Sequence, residues 1–567
     1  MNFNEIKYQR PDISEFKTIV LDLLEQFESI GCFEKQCEII DEINSLRNNV
    51  LTMLTIAQIR NYTDMTNTKY IEEQKYSDEK WPLYEMVVSK YYNTLLKSKN
   101  KSKIENKYGS QLLEIAHINI NTVNDSVLSD LEKENKLISK YIKVLATSKT
   151  EFMGEERNIS QLDVFLNSPD RNIREKASEK KYQLMNQNEK DIDSIFCDLV
   201  KVRTNIAEKL GYTSFVELGY ARLSRVGYGQ EEVKKFRDMI KTYIVPISTQ
   251  LRENQRKRIK VDVLQYFDEN LRFIDGNATP KGDEKWIIKR FKNIFKELSS
   301  ETGEVFDFME ANNLLNLTTK TGKARGAFAT YLCNYKSPYI FANLNGTGND
   351  VKVLSHEFGH AFQMYVYNMR NEIPEYILPT KEACEITSIA MEYLVWPGLE
   401  NLLDEDAEKY KYAHLEDAIL TLPYRACIDE FQHFVYNNPK AISSEWKRKW
   451  KELEDIYMRD KSYKGNDYLE RGNFWQMQSH LFKFPFYYID YALAQICALQ
   501  IWALAQTDEK EAWRVYKKLC EKGGSLSFLD LLERTILSPF DENAFNEVID
   551  LLSTWFEKSS INESNYI

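Results

Sequence analysis

Glycine and proline are scarce in this chain. Only 20 of 567 residues are Gly and 13 are Pro, and the glycine share is about half the roughly 7% usual in proteins. So few chain breakers exclude a turn-rich β sandwich and favour long helices. Long apolar runs are also missing: no uninterrupted stretch approaches the ~20 residues a membrane helix needs. The opening MNFNEIKYQRPD has no apolar signal core and gives no ground for expecting export. The eight cysteines, at 32, 37, 197, 333, 384, 427, 497 and 520, form no CxxC pair, which suits free thiols in a reducing cytoplasm better than a disulfide framework. Positive charge is in deficit, with 75 Lys+Arg against 86 Asp+Glu. A net charge of −11 disfavours nucleic acid as the main partner. The densest basic run, Arg252, Arg256, Lys257, Arg258 and Lys260, reads as a solvated helix face.

What is present is mostly helical pattern. Ile13, Phe16, Val20, Leu23, Leu24 and Phe27 recur at helical spacing behind Asp12, a natural N-cap, and Ile39, Ile43, Leu46, Val50 and Leu54 mark another apolar face. No repeat period appears and no Gly/Ser- or Pro-rich linker divides the chain. The working division is an N-terminal helical region, 1–150, and a larger region, 151–567, with a soft boundary. The texture changes between 322 and 348, where four glycines accompany two β-like runs, FATYLC (328–333) and YIFANL (339–344), joined by NYKSP. This predicts a hairpin. Helical pattern then resumes almost to the end, where the polar tail EKSSINESNYI is expected to fray.

Histidine is the rarest informative residue. Of six, two lie in His356-Glu357-Phe358-Gly359-His360, a His-Glu-x-x-His spacing that chance would produce about 0.006 times in such a chain. Four residues on a helix advance about 400° and 6 Å, so both imidazoles leave one face and can converge on one cation. Glu357 sits about 100° around from His356, within reach of a water activated by the metal. Val353, Leu354, Ala361, Met364 and Tyr365 supply apolar positions, and Asp350 is a natural N-cap. Gly359 inside this helix costs about 1 kcal/mol relative to Ala, which a close approach by another helix would explain.

Zinc needs a third protein ligand and an open fourth position. The short-loop solution is absent, because positions 363 and 366 are Gln and Val. After Pro374 and Pro379, Thr380 can cap a new helix, KEACEITSIAMEYLVW, on which Glu382, Glu385 and Glu392 share a face. Helical geometry leaves Glu382 and Glu385 both open as the ligand. Apolar Ile386, Ile389, Ala390 and Leu394 mark a buried element, where carboxylates need partners.

HEFGHAF, followed 29 residues after its first His by the Glu of CEITSIAMEYL, resembles the thimet oligopeptidase and oligoendopeptidase F family of zinc metallopeptidases. IAEKLGYTSFVELGYARL (206–223), SPYIFANLNGTGND (337–350) and HLFKFPFYYIDYALAQ (480–495) extend the likeness over about 190–500. The resemblance implies Glu385 as third ligand and Glu392 as a supporting acid. It implies one Zn2+ per chain, and a mainly α, multi-helix zincin-type fold with a small β-sheet beside a deep central cleft or channel. It further implies a zinc metalloendopeptidase acting on short unfolded oligopeptides, and the cysteine pattern makes the cytoplasm the expected location.

In HLFKFPFYYIDYALAQ, the family uses a His and Tyr residues to steady substrate and the developing oxyanion. Tyr488 and Tyr491 fit that pattern best, Tyr487 less well, and His480 departs slightly in spacing. A Tyr hydroxyl, with a pKa of about 10, stays protonated and can donate. YIFAN (339–343) is expected as an exposed edge strand that could pair with an extended substrate. His414 and His433 read as structural, Cys384 as a packed thiol rather than a ligand, and His117 has no partner suggesting a second metal site. Alternatives are a metallocarboxypeptidase or dipeptidase, which would need a cationic clamp for the terminal carboxylate, and a catalytically silent peptide-binding protein. Short peptides are the expected partners, with no nucleic acid and no membrane; oligomeric state is open.

Overall fold

The computed structural model of the chain describes residues 2–368 and 373–559. About 73% of it is helical, as the scarcity of chain breakers requires. Contacts divide it into two compact units, each assembled from separate stretches. One comprises Met1–Asn121, Thr279–Ala407 and Cys497–Leu537, the other Thr122–Ala278, Glu408–Ile496 and Ser538–Ile567. These units do not coincide with a division near residue 150.

In the first unit, helix Ile13–Ser29 begins where Asp12 accepts from the backbone N–H of Ser14 and Glu15. Its apolar stripe packs against helices Phe33–Thr63 and Thr68–Lys97, burying Phe16, Val20, Phe27, Ile40, Ile43, Val87 and Tyr91 in one cluster. Tyr367 and Tyr376 complete that cluster. The Tyr376 hydroxyl donates to Tyr108 O at 2.8 Å and accepts from Leu112 N at 2.9 Å. Arg47, buried here, pairs with Glu375 at 2.6 Å.

A three-stranded sheet lies in the same unit. The molecule's strands are β1 (Lys149–Phe152), β2 (Glu155–Asn158), β3 (Leu315–Thr318), β4 (Phe328–Leu332) and β5 (Ser337–Leu344). The hairpin foreseen at 328–344 is β4–β5, antiparallel, with Phe328 opposite Phe341 and Leu332 opposite Ser337. The strand order is β3-β5-β4, and this corrects the expectation for 339–343. β5 is the central strand, hydrogen-bonded on both sides, and all its residues but Asn343 are buried. The free edge beside the hairpin belongs to β4, because the parallel partner β3 takes the outer side of β5. The loop before β4 is pinned by Lys323, whose ammonium donates to the carbonyls of Asn316, Thr318 and Ala342.

In the second unit, β1 and β2 form a small antiparallel pair, and buried arginines organise the helices. Arg203 donates to Glu134 at 2.6 Å, to the Tyr436 hydroxyl at 2.8 Å and to the carbonyls of Leu481 and Phe482. Arg225 pairs with Asp490 and also donates to Phe486 O at 2.6 Å. Arg258, read from sequence as part of a solvated basic face, is buried against Glu416 at 2.9 Å. The stretch Tyr487–Ala505 has the length and mean hydropathy of a membrane span, but Asp490, Gln495 and Gln500 interrupt it and 72% of that window is buried inside the protein. All eight cysteines are free thiols. The tail from 560 onward lies outside the described residues, while Glu557 and Lys558 close the helix Glu542–Lys558.

Candidate metal centre

The motif helix runs Gly348–Asn368 and the ligand helix Lys381–Leu394. The motif helix starts two residues earlier than its predicted cap. Asp350 therefore lies inside the first turn, where its carboxylate accepts from the backbone N–H of Asn345 and Gly346 and braces the preceding loop. Thr380 is the N-cap residue of the ligand helix, but its side chain makes no capping bond. The two helices touch at Gly359: a Cβ there would fall 2.6 Å from Thr387 O and 2.7 Å from Ser388 Cα. Those are backbone atoms that cannot move aside, so the glycine is what lets the helices approach. On the other side, Phe358 stacks on Phe295 with ring centroids 3.8 Å apart.

This approach brings His356, His360 and Glu385 together, with one ligand atom from each lying within 4.8 Å of the others. His356 Nε2 is 3.4 Å and His360 Nε2 3.8 Å from Glu385 Oε2. Bonds of about 2.0–2.1 Å to a tetrahedral ion require ligand atoms about 3.3 Å apart, so the donor set fits such an ion with small adjustments. Among the described residues this is the cluster of at least three such groups that could hold a metal.

The groups behind the ligands orient them. His356 Nδ1 is 2.7 Å from Glu392 Oε1, an arrangement that puts the proton on Nδ1 and turns Nε2 toward the metal position. His360 Nδ1 is 3.4 Å from Cys384 Sγ. Cys384 lies outside the cluster, yet its thiol touches His360, a contact that reading it as a merely packed thiol missed. Ser388 Oγ lies 3.3 Å from Glu385 Oε2. Glu382 is buried but its carboxylate is outside the cluster, so the geometry separates the two acids that spacing left open.

Charge is held tightly here. Burial disfavours a charged His356, but hydrogen bonds to Glu385 and Glu392 outweigh it and push its pKa up to about 10. In that state the ring's proton supplies the positive charge the two acids demand. Burial pulls His360 down to about 4. Burial also lifts Glu357 to about 7, opposed by His356 and by the backbone N–H of Ala329 on β4. The Glu357 carboxylate therefore sits against the free edge of the sheet. Burial pushes the Cys384 thiol well up, so it stays protonated.

His480, Tyr487, Tyr488 and Tyr491 gather in the second unit. Ring centroids are 4.8 Å apart for His480–Tyr488, 6.0 Å for His480–Tyr491 and 5.9 Å for Tyr488–Tyr491. A 3-10 turn at Tyr487–Ile489 precedes helix Asp490–Ala505. Their backbone is set by Arg203 and Arg225 and by Gln432, whose side-chain oxygen accepts from Phe486 N at 2.7 Å. His433 contacts Asp429 O at 2.9 Å and the Tyr220 hydroxyl at 3.2 Å, a structural setting. No sequence signal pointed to Cys384 as the partner of His360, since that contact joins two different helices, whereas Ser388 shares a helix face with Glu385 by its spacing of three.

Residues 283–551 match Peptidase family M3, and residues 3–123 match the Peptidase M3 N-terminal domain. The fold agrees with PZ peptidase A solved with an inhibitor, at 46% identity and a TM-score of 0.93 over 99% of this chain and 100% of that one. The chain belongs to peptidase family M3. Within it, the oligoendopeptidase F-like branch is indicated by a Bacillus anthracis structure assigned to oligoendopeptidase F, 45% identical with a TM-score of 0.87 over 98% of both chains. The oligoendopeptidase F homolog of Borreliella burgdorferi is 26% identical over 66% of this chain; the match spans 63% of that relative's length. Oligopeptidase PepF of Bacillus subtilis is 22% identical over 94% of this chain and 80% of its own. This M3 peptidase is therefore a hydrolase of peptide bonds. Its relatives' names, all those of peptidases and oligopeptidases, do not favour the carboxypeptidase or silent-binder alternatives.

Proposed function

We propose that the protein is a zinc-dependent endopeptidase that cuts short unfolded oligopeptides in the cytoplasm. The observation that carries this reading is the convergence of His356, His360 and Glu385 with the Glu357 carboxylate beside them. His356 Nε2, His360 Nε2 and Glu385 Oε2 would hold one Zn2+ per chain. When bound, zinc serves as a Lewis acid that polarises the scissile carbonyl and lowers the pKa of water toward about 7. Glu357, whose carboxylate lies beside the cluster, takes the proton from the attacking water. It then returns that proton to the leaving amine. The open edge of β4 offers backbone groups to an extended peptide, gripping the main chain without demanding particular side chains. His480, Tyr488 and Tyr491 would donate to the developing oxyanion; that role rests on the family resemblance and their chemistry.

The test pairs metal content with product mapping. Zinc should be present at about one per chain, and a chelator should abolish cleavage until zinc is returned. Peptides blocked at both ends should be cut internally, and Glu357→Gln should keep its zinc while losing at least about a hundredfold in kcat. Near-normal hydrolysis by Glu357→Gln, or no cleavage of end-blocked peptides, would overturn the proposal.

A further inference from the structure

We propose that Gln478 is a positioning residue that fixes His480 as a hydrogen-bond donor through Nε2, by occupying its Nδ1. The inference deepens the oxyanion role proposed above for His480, and rests on that reading for its consequence in catalysis.

Three side chains of the second unit form a directed chain. The Tyr424 hydroxyl lies 3.1 Å from Gln478 Oε1, and Gln478 Nε2 lies 2.7 Å from His480 Nδ1. A carboxamide has one accepting end and one donating end, so the group at one end decides what the other can do. Burial raises the pKa of Tyr424 far above its ordinary value, and the phenol keeps its proton to give. Among the described residues, Gln478 Oε1 is the acceptor that this hydroxyl meets. With Oε1 taken, Nε2 faces His480 and donates. A neutral imidazole that accepts at Nδ1 carries its proton on Nε2. The opposite amide orientation would leave the Tyr424 proton without that acceptor.

The same contacts hold the ring in place. Tyr424 packs edge-on against Tyr488 with centroids 5.9 Å apart, so the residue that orients Gln478 also braces the tyrosine beside His480. Nothing in the spacing of HLFKFPFYYIDYALAQ signals this: Gln478 lies two residues before His480 and outside the matching stretch. Gln478 and Tyr424 border a cavity of about 400 Å³, whose other walls include Tyr182, Tyr266 and Phe474. A Leu at 478 therefore has room to sit without overpacking.

Two measurements test this on the full-length protein loaded with zinc. The first is the tautomer of His480 in protein labelled with 15N-histidine, its signals assigned by the loss of one set in His480→Ala. Protonated Nε2 and bare Nδ1 are expected in the wild type, and protonation of Nδ1 in Gln478→Glu, where a carboxylate can only accept. Bare Nε2 with protonated Nδ1 in the wild type overturns the proposal, whatever the activity of the enzyme. The second is a double-mutant cycle on a quenched peptide. Gln478→Leu should lower kcat about tenfold with KM little changed, and should have no further effect in the His480→Ala background. An equal loss in both backgrounds would mean that Gln478 acts on the fold and not through His480. If His480→Ala leaves kcat unchanged, the oxyanion reading of His480 fails, and the tautomer measurement still decides the assignment of Gln478.

Discussion

At the scale of single residues, the two imidazoles have unequal backing. His356 leans on a carboxylate, Glu392, at 2.7 Å, whereas His360 leans on the thiol of Cys384 at 3.4 Å. A carboxylate accepts a hydrogen bond strongly and raises the basicity of the ligand; a thiol accepts weakly. Removing either should weaken the metal site, the carboxylate more. Cys384→Val is expected to reduce zinc affinity by about tenfold, and Glu392→Gln by up to about a hundredfold, read by competition with a chromophoric chelator. Cys384→Asp should move affinity the other way. Equal affinity in Cys384→Val and wild type would mean that the sulfur contact is incidental.

At the scale of elements, the metal centre depends on how closely the motif and ligand helices lie. Gly359 is the contact point, and Thr387 O and Ser388 Cα occupy the space a side chain would need. Gly359→Ala should raise helix propensity by about 1 kcal/mol, yet the forced separation costs about 1–3 kcal/mol, so a net loss is expected. Chemical denaturation of the zinc-free protein measures that loss, and zinc affinity should fall with it, because Glu385 is carried away from the histidines. The helix Asp490–Ala505 poses a parallel case. Asp490 and Arg225 are both fully buried, and the pair ties the start of that helix to Phe486 O. Asp490→Ala leaves a buried guanidinium uncompensated and should cost about 3–5 kcal/mol, measured by urea denaturation. Helix existence was legible in sequence throughout: Asp12 caps as read, and the apolar stripe from Ile13 to Phe27 is buried as its period requires. Strand order was not. FATYL and YIFANL have the same alternating, aromatic-rich look, and which becomes the edge depends on β3, a short strand whose partner is about 25 residues away.

At the scale of the molecule, chain order and compact units part company. The first unit is built from three stretches, and the N-terminal helices share their core with Tyr367 and Tyr376. Glu375 accepts from Tyr92 at 2.7 Å and pairs with Arg47. A fragment ending near residue 150 would therefore expose apolar surface and leave Arg47 buried without its carboxylate. Such a fragment is expected to bind a hydrophobic dye and to unfold without a cooperative transition, whereas the full chain does neither. A sharp, dye-free transition of the isolated fragment would show that these helices need no help from 367–376.

The pairing of the two histidines could be read from the chain because its grammar is local. Two histidines four apart on a helix share a face wherever that helix lies, and an acid between them is placed by the same 100° step. The thiol behind His360, the Tyr424 hydroxyl that turns Gln478 toward His480 and the identity of the open strand were decided only by folding. Each of these depends on which segments, far apart in sequence, come to rest within a few ångströms, and on which way a side chain then turns. Spacing along one helix carries no information about the surface that packs against it.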